Sequence, residues 1–269
     1  MRRSDKREQE LDSRIDLFRK RLKDSDDLKV KDDVFDTRTL MNLYYLAKKG
    51  YLQALGGPVS TGKEANIFSA LGKGGDLVAL KIYRVATTEF RSMQDYLRGD
   101  PRFGNTKGDR RSLINAWTRK EYRNLLRAEE AGIRVPHPFV VRENIIVLEF
   151  IGQEDQPAPL LRDVQLDSEE ARRAFEWLAD AIATLYRRAA LVHADLSEFN
   201  VLYPGHPVII DMAQSVTLDH PMARSFLRRD VSNLVRFFQS RYGIGSIEEV
   251  MARLKPQAKD EEAPANGQG

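Results

Sequence analysis

The sequence contains no cysteine at all. This absence excludes disulfide bonds and metal sites built from thiolates. Long apolar runs are missing too, since no stretch approaches the roughly 18 residues that a membrane-spanning helix needs. The N-terminal segment MRRSDKREQELD is charged and has no apolar core of the signal-peptide type. We therefore expect a soluble, cytoplasmic protein that makes no contact with a membrane.

A strong charge imbalance is also missing. The chain carries 43 basic and 40 acidic residues, so net charge gives no reason to expect nucleic acid as a partner. Its 269 residues are enough for one large or two small domains with a hydrophobic core. Residues 255–269 are mostly Pro, Gly, Ala and charged residues with little to bury, and we predict a disordered tail there.

Two helices are predicted in the first fifth of the chain. Residues 1–35 form a charged extension in which four apolar residues recur at helical spacing: Leu11, Ile15, Phe18 and Leu22. This narrow stripe indicates a helix packed on the main domain, with a partner-binding arm rich in Arg and Lys as the alternative. A second helix is predicted over residues 37–49, with Asp36 or Thr37 as its cap. Its predicted core face consists of Leu40, Leu43, Tyr44 and Ala47.

Beyond the second helix, the spacing of apolar residues changes from helical to alternating. The segments YLQAL, EANIFSAL and LVALKIY predict three antiparallel strands, and a Gly-rich hairpin joins the first two. Gly57 and Gly62-Lys63 nearly match a P-loop, but Glu64 stands where a P-loop needs Ser or Thr for Mg²⁺. Lys63 also leads into a strand, whereas the P-loop lysine begins a helix. We interpret the hairpin as a cover over a nucleotide, with Ser60 and Lys63 at the phosphates.

Further residues follow in the order found in protein kinases. Lys81, in VALK, occupies the place of the phosphate-pairing lysine, and Glu121 in the next predicted helix is the candidate to hold it. The apolar run NIIVLEFIG predicts a strand that leads into a hinge between two lobes. There the backbone of Glu149 and Ile151 would bind the adenine edge of ATP. Because these contacts use backbone atoms, no role is predicted for the two side chains.

The most specific signal is HADLSEFN, residues 193–200. It reproduces the H-x-D-x-x-x-x-N spacing of the kinase catalytic loop, in which Asp195 would orient the acceptor hydroxyl and Asn200 would hold Mg²⁺. The short strand VII then leads to Asp211, a second candidate metal ligand. Any one of these side chains could instead cap a turn. The ordered set as a whole predicts ATP-dependent phosphoryl transfer.

Four segments resemble the RIO family of atypical serine protein kinases: STGKEANIF, LVHADLSEFNVL, IIDMAQSV and DHPMARSFLRRDVSNLVRFF. The resemblance covers about residues 35–250 and is to the archaeal-type branch with the S-T-G-K-E-A-N loop and no winged helix. It implies an α+β, two-lobed kinase-like fold, with an N-lobe of antiparallel sheet plus helix at residues 36–151 and a reduced helical C-lobe at residues 152–254. It also implies ATP with Mg²⁺ or Mn²⁺, serine phosphorylation or ATP hydrolysis, and maturation of the small ribosomal subunit with its precursor as partner.

Two departures from ordinary protein kinases affect the expected chemistry. Ser197 stands where these kinases usually carry a lysine. Lys63 is the candidate to restore that charge, with a loop lysine that points to water as the alternative. After Asp211 there is no Ala-Pro-Glu motif and little chain for a peptide-binding platform. This favours an ATPase switch, in which Asp211 itself accepts the phosphoryl group as carboxylates do in aspartyl-phosphate ATPases.

The segment 84–118 is an unusually long connection, and we predict a flexible loop of the RIO type there. Thr106 and Ser112 are candidate self-phosphorylation sites, and the basic residues could contact the rRNA backbone. A solvated loop without a partner is the alternative. The basic residues are Arg84, Arg91, Arg98, Arg102, Lys107, Arg110 and Arg111.

Two other function classes stay open from the sequence. A small-molecule kinase of the aminoglycoside-phosphotransferase type shares the catalytic-loop spacing, but it normally has a larger helical substrate lobe. A non-catalytic scaffold would bind ATP without turnover, although such proteins tend to lose one of the four residues Lys81, Asp195, Asn200 and Asp211, all of which are present here.

Overall fold

The computed structural model describes residues 35–85, 93–94, 96–97, 100, 109–153 and 156–255. The helix predicted within residues 1–35 and the tail predicted at residues 255–269 lie outside the described residues, apart from Phe35 and Lys255. Thr106 lies outside them as well.

The N-lobe is built on a five-stranded antiparallel sheet. Its strands are β1 (Ala54–Thr61), β2 (Ala65–Leu71), β3 (Leu77–Tyr83), β4 (Pro138–Arg142) and β5 (Ile145–Glu149). They lie in the order β1-β2-β3-β5-β4. The predicted Gly-rich hairpin is present, but its glycines Gly56 and Gly57 are part of β1, and the turn to β2 is only residues 62–64. Pro58 is tolerated in β1 because an edge strand leaves one row of backbone groups unpaired.

Helix α1 (Thr37–Lys48) packs on the sheet face opposite to Lys81. Asp36 is the cap and accepts a hydrogen bond from the Thr39 N–H at 2.8 Å. The predicted core face is only half right: Leu43 and Ala47 pack against the core, but Leu40 and Tyr44 are 51% and 72% exposed. The helix instead buries Thr39, Asn42 and Leu46.

The predicted face is partly wrong because two of the residues that the helix buries, Thr39 and Asn42, are polar. Asn42 accepts a hydrogen bond from the Arg142 guanidinium, and Thr39 is hydrogen-bonded to Asn144, so both polar side chains face β4 and β5. A pattern of apolar residues cannot identify a helix face that is held by side-chain hydrogen bonds.

Helix α2 (Arg110–Glu130) crosses the other face of the sheet and carries Glu121. It begins at Arg110, capped by Asp109, so the last nine residues of the predicted loop 84–118 are helical. Four described residues within that loop, Met93, Gln94, Tyr96 and Leu97, are helical as well. Met93 and Leu97 are buried in the core, and the loop is therefore partly packed.

The C-lobe contains helices α3 (Ser168–Arg187), α4 (Ala223–Tyr242) and α5 (Ile247–Arg253), around a core that includes Phe175 and Phe238. A two-residue pair, β6 (Gly152–Gln153) and β7 (Gln156–Pro157), follows the hinge. Four other short strands carry the functional loops: β8 (Leu191–Val192), β9 (Val201–Leu202), β10 (Val208–Ile209) and β11 (Val216–Thr217). Because β8 pairs with β11 and β9 with β10, the β8–β9 and β10–β11 loops lie side by side.

The α+β, two-lobed architecture predicted from the sequence is thus confirmed. Among the residues that the structure describes, every helix is too short or too polar to cross a membrane.

Candidate active site

A cleft of about 740 Å³ lies between the two lobes. Its volume is in the range of small-molecule binding sites. Eight of the nine predicted site residues line it: Ser60, Lys63, Lys81, Glu121, Glu149, Ile151, Asn200 and Asp211. The ninth, Asp195, reaches the site through a contact with Asn200.

Lys81 bridges two carboxylates at the back of the cleft. Its Nζ lies 2.6 Å from Glu121 Oε1 and 3.0 Å from Asp211 Oδ1. Alternation along β3 places Lys81 and Tyr83 on the same face, toward α2. Tyr83 donates its O–H to Glu121 Oε2 at 2.5 Å, so both carboxylate oxygens of Glu121 are occupied. The lysine and the two acids were predictable from the sequence, whereas Tyr83 was not.

Burial and the neighbouring charges shift the pKa values of these three groups in different directions. Burial alone lowers the pKa of Lys81, but the nearby Asp211 and Glu121 outweigh it and leave that pKa raised. Burial raises the pKa of Glu121, which Lys81 partly opposes. For Asp211 burial also acts to raise the pKa, but Lys81 prevails and the pKa is lowered. The Asp211 side chain is 47% exposed, so an ionised carboxylate faces the cleft.

The catalytic-loop pair is assembled by one amide. Asn200 Nδ2 donates to the Asp195 backbone carbonyl at 2.8 Å and to Asp195 Oδ2 at 3.0 Å. Burial raises the pKa of Asp195, the bond from Asn200 opposes that rise, and the charge of Asp211 adds to it. The amide thus fixes the orientation of a carboxylate that retains some affinity for a proton, as a group that orients an acceptor hydroxyl requires.

Helix α4 holds the catalytic loop in place. Asp230 accepts hydrogen bonds from the backbone N–H groups of Ala194 and Leu196, at 2.8 Å and 2.9 Å. Arg229 donates to the Ala194 carbonyl, and Asn233 donates to the Leu196 carbonyl. Burial raises the pKa of Asp230 to about 7, in spite of these two N–H bonds. The polar set R-D-x-x-N at residues 229–233, on an otherwise apolar helix face, is the sequence signal for these three residues.

The backbone is strained at two of these loops. Ala194 and Asp211 both lie in the left-handed region, with φ values of 67° and 60°. Such conformations are unfavourable for residues with a Cβ and persist where the surrounding contacts enforce them. At Ala194 the enforcing contacts come from α4.

At Asp211 the enforcing contacts come from α2. Lys120, fully buried, donates its Nζ to the carbonyls of Ala213 and Ser215 at 2.7 Å and 2.5 Å. Asn124, one turn further on, donates to the carbonyls of Met212 and Ser215 at 2.9 Å and 3.0 Å. The helix that carries Glu121 therefore also fixes the loop that carries Asp211. Neither residue was predictable from the sequence, because a lysine and an asparagine in a highly charged helix are normally exposed to solvent.

His193 supports the strand that precedes Asp211. Its Nε2 donates to the Ile210 carbonyl at 3.2 Å, and the ring is 2% exposed. Burial lowers the pKa of His193 to about 4, so the ring is neutral at pH 7. This geometry gives His193 a bracing role and no role in proton transfer.

The hinge uses a side chain that the sequence left without a prediction. Glu149 forms two hydrogen bonds with the Arg134 guanidinium, both at 2.6 Å. Arg134 lies between α2 and β4, and its carbonyl accepts the Ile209 N–H from the C-lobe at 3.0 Å. The backbone carbonyl of Ile151 accepts the Ala158 N–H at 2.9 Å. The Glu149 side chain thus connects the hinge to both lobes.

A divalent cation here would have a mixed ligand set. Within the described part of the chain, no three His, Cys, Asp or Glu side chains come together in an arrangement that could hold a metal. Mg²⁺ in nucleotide sites is usually bound by one or two protein ligands together with phosphate oxygens. The Asp211 carboxylate and the Asn200 amide oxygen, adjacent in the cleft, fit that pattern.

Comparison with known proteins identifies the family. The RIO domain model matches residues 66–250, well over half of the chain. This chain belongs to the RIO family. The match confirms the RIO family predicted from the sequence, and the chain is a RIO-type atypical kinase; most of the S-T-G-K-E-A-N loop precedes the matched residues.

Individual relatives agree with this assignment. The chain is 47% identical over 229 residues to the RIO-type serine/threonine-protein kinase Rio1 of Haloferax volcanii, covering 85% of this chain and 78% of the relative. It is 43% identical over 240 residues to Rio1 of Methanocaldococcus jannaschii, covering 88% and 81%. Against human serine/threonine-protein kinase RIO1, identity is 42% over 221 residues, which span 81% of this chain but only 39% of the human protein.

A solved structure shows the same fold. The Rio2 kinase of Chaetomium thermophilum aligns with a TM-score of 0.61 at 23% sequence identity, over 81% of this chain and 68% of that one. At this level of identity the likeness concerns the fold alone.

Proposed function

We propose that this chain binds ATP with a divalent cation in the cleft and transfers the γ-phosphoryl group, acting as a RIO-type serine/threonine kinase and ATPase. The observation that carries the proposal is the bridge from Lys81 to Glu121 and Asp211, next to the Asp195–Asn200 pair, inside a cleft of about 740 Å³. Lys81 is the cation for the nucleotide phosphates, and Glu121 holds it. Ser60 and Lys63, on the β1–β2 hairpin, contact the phosphates from above.

The other cleft residues bind the cation, the acceptor hydroxyl and adenine. Asp211 and the Asn200 amide oxygen bind the cation, Mg²⁺ or Mn²⁺, which when bound neutralises charge on the phosphates. Asp195 accepts a hydrogen bond from an acceptor hydroxyl, in the orientation that Asn200 imposes. The backbone of Glu149 and Ile151 binds adenine. The family match favours this assignment over a small-molecule kinase or a non-catalytic scaffold.

Asp211 is a second phosphoryl acceptor. Its carboxylate is ionised and faces the cleft, so an oxygen of Asp211 can attack the γ-phosphorus as the bond to ADP breaks. Water then hydrolyses the acyl phosphate and releases inorganic phosphate. A related Rio2 kinase, from Chaetomium thermophilum, has been solved as an ADP/Mg²⁺-phosphoaspartate complex.

The biological setting we propose is maturation of the small ribosomal subunit in the cytoplasm, and it rests on the family resemblance. The basic residues of the segment 84–118 would contact the rRNA backbone of the precursor, and self-phosphorylation would occur in the same segment. Ser112 is a suitable acceptor because it is exposed in the first turn of α2.

The test is ATP turnover by wild type, Asp195→Asn and Asp211→Asn, with and without small-subunit precursor particles. Asp219→Asn, an exposed carboxylate away from the cleft, is the matched control. We expect losses of at least about 100-fold in the two site variants and none in the control. Unchanged turnover in both site variants would refute the function.

The same reactions, quenched in acid, show whether a carboxylate or a hydroxyl of the protein accepts the phosphoryl group. A phosphate released by hydroxylamine in wild type and absent from Asp211→Asn is expected for an aspartyl phosphate. A phosphate that resists hydroxylamine would assign acceptance to a hydroxyl instead. A turnover rate that the particles leave unchanged would count against the ribosomal setting.

A further inference from the structure

We propose that Tyr83 is a positioning residue: it holds Glu121 in place while Lys81 exchanges Asp211 for a phosphate of the nucleotide. The inference rests on the proposed use of ATP and deepens it.

Tyr83 contacts both partners of the central ion pair. Its O–H donates to Glu121 Oε2 at 2.5 Å, and its ring centroid lies 5.1 Å from Lys81 Nζ, close enough for a cation–π contact. Lys81 binds the other carboxylate oxygen of Glu121. Burial, with the Glu121 charge next to it, raises the pKa of the phenol well above its usual value, so the hydroxyl remains a donor at all physiological pH values.

The exchange follows from the two carboxylates that share the Lys81 ammonium. Its ammonium is shared between Glu121 at 2.6 Å and Asp211 at 3.0 Å. When a nucleotide and its cation enter, Asp211 is needed by the cation and Lys81 by a phosphate, so this contact must open. The bond from Tyr83 does not compete, because it uses the oxygen of Glu121 that Lys81 does not touch. Glu121 therefore keeps one fixed partner throughout.

Tyr83 can act as an anchor because its own backbone is fixed. It is the last residue of β3, its N–H donates to the Asn144 carbonyl, and its carbonyl accepts from Asn144 Nδ2, both at 2.9 Å. Asn144 also donates to Thr39 Oγ1, at 3.0 Å. Thr39, Asn144 and Tyr83 are each at most 1% exposed. This buried chain of hydrogen bonds ties the hydroxyl of Tyr83 to the sheet and to α1, and through it ties the carboxylate of α2 to the same frame.

Tyr83→Phe removes only the hydroxyl and keeps the ring. It leaves Glu121 Oε2 buried without its partner, and losing a hydrogen bond to a charged group is expensive in a buried site. We expect KM for ATP and the Kd of a non-hydrolysable ATP analogue with Mg²⁺ to rise about tenfold, with kcat changed less than about threefold. Tyr242→Phe is the matched control, because the hydrogen bonds described for its hydroxyl, to Val164 and Leu166, lie in the C-lobe. Its ATP parameters should stay at the wild-type values.

The same substitution in a Glu121→Gln protein distinguishes a positioning role of Tyr83 from a general loss of stability. If Tyr83 acts through Glu121, the substitution Tyr83→Phe should change KM less than about twofold in a Glu121→Gln protein, since coupled residues are not additive. A tenfold rise in both backgrounds, or no rise in either, would overturn the inference. Wild-type protein that neither binds nor turns over ATP would instead overturn the proposed function.

If Tyr83→Phe does not fold, Thr39→Val tests the chain from its other end. This near-isosteric change removes the hydroxyl that binds Asn144 and lies on the opposite side of the sheet from the cleft. KM for ATP should rise two- to threefold with kcat preserved, and an unchanged KM would count against the inference.

Discussion

At the scale of single residues, the lowered pKa of His193 predicts how the stability of the protein depends on pH. Its pKa of about 4 in the folded protein lies below the ordinary value of about 6.5 expected after unfolding. The unfolded chain therefore binds a proton that the folded protein does not. The stability that the neutral ring contributes is present above pH 6.5 and is lost as the pH falls through that value toward 4.

The prediction compares wild type with His193→Gln, whose amide can replace the Nε2 donor but does not titrate. The free energy of unfolding of wild type relative to the variant should fall by up to about 3 kcal/mol between pH 7 and pH 4. Asp230, whose raised pKa of about 7 acts in the opposite sense over the same range, is present in both proteins and cancels. Denaturant titrations at several pH values measure the difference, and a constant difference would contradict the assigned pKa.

Residue identities at the chemical centre were predictable because the chemistry fixes both type and spacing. Asp195 and Asn200 could be selected by the distance between them in sequence, and Asp211 by the strand before it. Tyr83 and Lys120 could not, since their roles depend on which distant atoms the fold brings to them: a carboxylate on another element for Tyr83, and two backbone carbonyls for Lys120. Nothing in the local sequence encodes those partners.

At the scale of elements, α2 carries Glu121, which binds Lys81, and also holds the loop that follows Asp211. Lys120 is its buried link to the loop after Asp211. Lys120→Met keeps the length of the side chain but leaves the Ala213 and Ser215 carbonyls without the ammonium. We expect a loss of about 2–3 kcal/mol in the free energy of unfolding, and weaker binding of ATP with Mg²⁺ because Asp211 loses its support.

Denaturant unfolding and nucleotide titration measure the two effects. Lys48→Met, at an exposed position of α1, is the matched control and should change stability by less than about 0.5 kcal/mol. Equal effects of the two substitutions would show that the buried ammonium does not hold the loop.

Helix and strand boundaries were predictable where one pattern dominates, as in the alternating strands β2 and β3. They were not where polar groups enter the packing. The face of α1 was misassigned because Thr39 and Asn42 are buried by hydrogen bonds. The start of α2 was missed because its first turn, at Arg110 and Arg111, is charged and reads as part of a basic loop.

At the scale of the whole molecule, the described residues link the two lobes at several places besides the Lys81–Asp211 ion pair, and three of these links bear on unfolding. The hinge after Glu149 is the covalent link, and the Ile209 N–H to Arg134 carbonyl bond lies beside it. The third link runs from Lys120 and Asn124 on α2 to the loop after Asp211. The α2 link depends on the buried side chains of Lys120 and Asn124. The link at Arg134 is supported by the ion pair between Arg134 and Glu149. This arrangement predicts that the lobes unfold together.

Nucleotide binding should therefore shift one cooperative thermal transition. At an ATP concentration 100 times Kd, with Mg²⁺, binding contributes about 2.7 kcal/mol to stability, which is a rise in Tm of roughly 5–10 °C for a domain of this size. ATP with a chelator should shift Tm much less, because Asp211 then has no cation to bind and keeps Lys81. Asp211→Asn should lose the part of the shift that depends on Mg²⁺. Two transitions, of which nucleotide moves only one, would mean that the α2 link does not couple the lobes.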